Sequence, residues 1–142
     1  MIAIDHDDYH AEHVGRTRDG RQFLLTNPFD PATDASPGCE FVALYTFDQT
    51  GQLIEARIDS LGPRADLDAE ARRSLYLERL ACLGDVSFER VEVAPFCLEQ
   101  FGLQFGLVAR APEEEGDEWA VEMQPGNYMA FFAPWDSGEY DT

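Results

Sequence analysis

The spacing of hydrophobic and polar positions along this chain changes period several times, and each change predicts an element. Residues 12–17 and 21–26 flank Asp19-Gly20, the favoured chemistry of a tight two-residue hairpin turn. Residues 27–38 hold three prolines and no periodicity, so they read as a loop. The run Phe41-Val42-Ala43-Leu44-Tyr45-Thr46-Phe47 is apolar in both alternating phases, which predicts a central strand covered on both faces. After Asp48-Gln49-Thr50-Gly51 the pattern alternates over 52–60. Ile54, Ala56 and Ile58 take the core side, and Glu55, Arg57 and Asp59 the solvent side. Over 67–83 the period lengthens to that of a helix. Ala71, Leu75, Leu80 and Leu83, with Tyr76 beside them, form one stripe, with Asp66 or Asp68 as N-cap and Gly84 closing the end.

Strand periodicity resumes over 86–93. Val86 and Phe88 hold one phase and Val91 and Val93 the other, which calls for a bulge near Glu89-Arg90. Further strands are expected over 103–110, 119–123 and 128–133, separated by an acidic loop at 113–118 and a Pro125-Gly126 turn. The sum is an α+β fold: a strongly bent, mostly antiparallel sheet of about seven or eight strands with one main helix. A length of 142 residues suits one domain spanning 1–142, with 1–10 as a polar arm and 134–142 as an acidic aromatic C-terminal segment.

Charge sharpens this picture. The chain carries 28 carboxylates against ten cations, for a net charge of −18, and all ten cations are arginine. Beyond Arg110 there are nine carboxylates and no side-chain cation. Such a chain repels nucleic acid and anionic membrane and attracts basic surfaces. Ten Phe, five Tyr and two Trp supply a core and argue against disorder. Residues 1–8 have neither a basic nor an apolar leader region, and no apolar run approaches 18 residues. Cys39, Cys82 and Cys97 are odd in number and form no CxxC, which predicts a reducing, cytoplasmic setting, with Cys82 and Cys97 as core thiols.

Candidate chemistry is sparse. No P-loop, HExxH or G-x-S-x-G occurs, so no catalytic residue is nominated and no cofactor is expected. His6, His10 and His13 fall at helical spacing among acids and are weak candidates for a metal site. A polar arm is the favoured reading, because His13 belongs to a strand pattern, where that spacing means nothing. The stronger candidate is a partner-binding surface built from Glu113, Glu114, Glu115, Asp117 and Glu118, joined by Trp135, Asp136, Glu139, Tyr140 and Asp141. There aromatics within carboxylates would anchor a basic protein partner while the charge steers its arrival. Trp119 adjoins the run.

The stretches Pro125-Gly126-Asn127-Tyr128, 134–142, Asp19-Gly20-Arg21-Gln22-Phe23 and Phe47-Asp48 with Gly51 resemble a loosely defined set of small bacterial proteins, some labelled formate hydrogenlyase regulators. That label implies regulation of transcription or of a complex. In size, acidity and α+β make-up the chain is also similar to bacterial immunity proteins that neutralise basic toxins. The leading expectation is an acidic interaction protein that binds and inhibits a basic partner. The alternatives are a small enzyme or ligand-binding domain with a pocket between helix and sheet, and a regulatory or structural subunit.

Overall fold

The computed structural model describes residues 1–6, 13–126 and 129–135, together with the backbone of 138–140. The strand over 39–47 organises the molecule. This strand, β5 (Cys39–Phe47), is buried from Glu40 to Phe47 and lies inside a six-stranded sheet. The other strands of that sheet are β2 (His13–Thr17), β3 (Gln22–Thr26), β4 (Phe29–Asp30), β6 (Leu53–Gly62) and β7 (Val86–Phe88), of which β3, β4 and β6 pair with β5 directly. Ala43, Tyr45 and Phe47 point into one core and Val42 and Leu44 into another, so both predicted faces are covered.

The second core receives the helix. Helix α1 (Ala69–Ala81) starts at Asp68, whose side chain accepts hydrogen bonds from the Glu70 and Ala71 N–H groups. Leu75, Tyr76, Leu80 and Leu83 pack on Phe23, Leu25, Val42 and Leu44, as the helical stripe requires. A bidentate contact from Arg79 to Asp59 (3.1 and 3.2 Å) ties the helix to β6. The first core receives a five-stranded sheet: β9 (Phe96–Gln100), β10 (Leu103–Arg110), β11 (Ala120–Gln124), β12 (Met129–Phe132) and β13 (Gly138–Tyr140). It contributes Leu107, Val121, Met123, Met129 and Phe131. The layers are therefore helix, sheet, sheet, and every strand pairing among the described residues is antiparallel.

The α+β class stands, but the single, strongly bent sheet does not. The third sheet is a two-stranded ribbon of β1 (Ile2–Ile4) and β8 (Val91–Val93). Its β1 corrects the start of the expected arm: Ile2, Ala3 and Ile4 are buried, whereas residues 7–10 lie outside the described residues. Its β8 explains the phase change over 86–93. No bulge bridges the two halves; the chain leaves one sheet after Phe88 and enters another at Val91. In β6 a register shift opposite Thr46 and Phe47 skips Ile54, which is 54% exposed, and Leu53 takes the core position. Cys82 and Cys97 are exposed rather than buried, and all three thiols are free.

Candidate functional site

Sheet register decides which acidic residues meet. Arg110 pairs with Ala120 and Ala120 with Phe132, so the 111–119 connection and the 133–135 segment leave the same end of the five-stranded sheet. The connection is pinned there. Asp117 accepts from the Glu113 and Glu118 N–H groups (3.1 and 2.9 Å) and from Arg110 (2.8 Å). Arg110 also donates to Glu122 (3.0 Å). Hydrogen bonds from the Glu113 N–H first, and then from Arg110, hold the Asp117 carboxyl below the usual carboxylate range. The two carboxylates, Asp117 foremost, raise Arg110 in turn. Asp117 is thus occupied internally, while Glu113, Glu114, Glu115 and Glu118 are exposed.

The aromatic residues divide. Trp119, at the exit of the loop, is 59% exposed, the highest value of any large hydrophobic side chain among the described residues. Trp135 packs instead against the first core. Its carbonyl accepts from Ala3 N–H (3.0 Å) and its N–H donates to Phe132 (2.7 Å), so it fastens β1 to the C-terminal segment. Strand β13 runs back along β12, placing Glu139 opposite Ala130 and Tyr140 opposite Met129, away from the loop end. Asp136 and Asp141 lie outside the described residues.

His10 also lies outside the described residues. The other two histidines flank one aromatic ring: His6 stacks on Phe88 (5.8 Å between centroids) and His13 meets it edge-on (5.3 Å). His13 Nδ1 lies 2.5 Å from the Tyr76 hydroxyl, which donates to the Leu25 carbonyl (3.3 Å). Among the described residues no group of His, Cys, Asp and Glu could hold a metal ion.

The same His13–Tyr76 pair borders a cleft between α1 and the adjoining ends of β2 and β3 in the six-stranded sheet. The cleft has a volume of about 530 Å³, and Asn27, Arg72, Arg73 and Leu77 also line it. Arg72 and Tyr76 are one helical turn apart, as are Arg73 and Leu77, so two adjacent ridges of the helix form one wall. The sequence pattern does not single out either arginine, because both fall outside the apolar stripe of the helix. Their distinguishing signal, the lack of a carboxylate partner among the described residues, exists only in three dimensions.

No described helix is long and apolar enough to cross a membrane. Comparison with known proteins finds no matching family model, no matching curated protein and no matching solved structure.

Proposed function

We propose that this protein is an acidic interaction module that docks on a basic protein partner through the 113–119 end of its five-stranded sheet. The observation that carries the reading is an exposed tryptophan at the exit of an acidic loop held at both ends. Asp117 bonds the backbone at Glu113 and Glu118, so Glu113, Glu114, Glu115 and Glu118 are presented with little ordering left to do on binding. Trp119 supplies the large apolar contact that interface centres favour. The net charge of −18 would speed the approach of a cationic surface and make association steeply salt-dependent. Occlusion of the partner's anion-binding surface would be the inhibitory mechanism. Trp135 supports the fold of this end rather than its contact face.

The test is affinity capture from the native host at low and high salt, run beside two variants. A basic protein retained at low salt and released at high salt is expected. Trp119→Ala and the triple Glu113→Gln, Glu114→Gln, Glu115→Gln variant should each retain at least about tenfold less of it. Equal retention by both variants would overturn the reading.

A further inference from the structure

We propose that the cleft between α1 and the six-stranded sheet is a binding site for a small phosphate-bearing anion, with Arg72 and Arg73 as its recognition groups. This site is independent of the acidic docking end, since it lies on the helix layer and the acidic loop on the far sheet. Eight of the ten arginines sit within 4.0 Å of a carboxylate: Arg16, Arg18, Arg21, Arg57, Arg64, Arg79, Arg90 and Arg110. Arg72 and Arg73 have no such partner among the described residues, and both line the cleft.

In a chain with 28 carboxylates, two adjacent guanidiniums without an ion pair are the exception. Helix stability does not explain them. Arg72 and Arg73 fall at the fourth and fifth positions of a helix beginning at Ala69, toward the positive end of its dipole, where a cation gains nothing.

The chemistry of the walls selects the ligand. A guanidinium offers a planar fork of donors that matches phosphate oxygens bidentately. Two of them balance the charge of about −1.5 to −2 on a phosphomonoester better than the single charge of a carboxylate. Asn27 adds an amide that can donate to an oxygen, and Leu77, 45% exposed, gives the organic part of the ligand an apolar seat. The His13–Tyr76 contact closes the sheet side of the cleft. A volume of about 530 Å³ falls within the range of small-molecule sites. The overall negative charge slows approach but does not cancel this contact, because at ordinary ionic strength its field decays over about 10 Å.

The test is titration with phenyl phosphate and with inorganic phosphate at constant ionic strength, followed by calorimetry and by amide NMR shifts. Acetate and chloride serve as controls. Saturable binding with Kd below about 10 mM is expected for both phosphates, tighter for phenyl phosphate, with shifts centred on residues 72–77. Arg72→Gln and Arg73→Gln should each weaken binding at least about tenfold, and the double variant should abolish it. Arg57→Gln, at an exposed position of β6 that does not line the cleft, should leave it unchanged. If the double glutamine variant fails to fold, the Arg72→Lys/Arg73→Lys protein keeps both charges and should still bind more weakly than the unchanged chain. Absence of saturable binding, equal binding by the double variant, or equal competition by acetate or chloride would overturn the proposal.

Discussion

The carboxamide of Gln22 is buried, at 1% exposure, and joins three parts of the chain. Its Nε2 donates to the carbonyls of Asp48 (3.2 Å) and Glu92 (3.0 Å), and its Oε1 accepts from the Glu92 N–H (2.8 Å). Toward β8 the side chain thus acts as a neighbouring strand would, satisfying both backbone groups of one residue. Gln22→Leu keeps the bulk and removes all three bonds, leaving buried polar groups unmatched. A loss of about 2–4 kcal/mol in urea unfolding is expected, and a loss below about 1 kcal/mol would mean water takes over the role. Nothing in the local pattern announces this residue, since a polar side chain at a strand end reads as solvent-facing. Backbone geometry at single residues was equally hidden. Asp19-Gly20 is the favoured pair for a two-residue turn, yet Asp19 keeps a negative φ, and Thr17 N–H bonds Arg21 across a three-residue loop closed by Gly20 at φ +89°. The turn with two left-handed residues is at Phe101-Gly102 (φ +55° and +74°), where a phenylalanine gave no signal.

At the scale of elements, the acidic loop behaves as a unit tied by one carboxylate. The Asp117 carboxyl titrates lower in the folded chain than in the unfolded one. Its contribution is therefore complete above the unfolded value of about 3.9 and is lost only as the pH falls through the lower folded value. The loop should stay closed from pH 8 down to about pH 4, the unfolded value, and open only at more acid pH, as Asp117 takes up its proton. Asp117→Ala should open it at neutral pH, raising the rate of glutamate-specific proteolysis within 113–118 several-fold while the urea midpoint barely moves. An unchanged cleavage rate would show that the strand ends alone hold the loop. The sequence patterns for α1, for the two-faced β5 and for this loop were readable because each is set by residues within a few turns of one another. Ile54 shows the limit. Its alternating phase placed it in the core, but a bulge that depends on the pairing of β6 with β5 turned it outward.

At the scale of the molecule, periodicity states which face a strand buries and not which strand it joins. The pairings of Ile2 with Val93 and of Gly15 with Phe88 span most of a domain in sequence, and they divide the strands among three sheets. The vacant arginines of the cleft were invisible for the same reason. Charge, in contrast, was legible from composition, and its effect on stability can be argued from magnitudes. Salt acts on two opposing terms. It weakens the arginine ion pairs, most of which are at least one-third exposed, such as Arg18–Asp85 with side chains 88% and 90% exposed; pairs of this kind contribute about 0–1 kcal/mol each. It also screens the mutual repulsion of 18 carboxylates in excess of all cations, a repulsion felt more in the compact state than in the extended one. Raising sodium chloride from about 10 mM to 300 mM shortens the screening length from about 30 Å to under 8 Å, which is less than the thickness of one layer of the fold. Pairs in contact at 3 Å lose little over that interval, whereas repulsions across the molecule nearly vanish. The melting temperature should therefore rise by roughly 2–6 °C, and a flat or falling profile would mean that the ion pairs, not the excess charge, dominate the electrostatics of this fold.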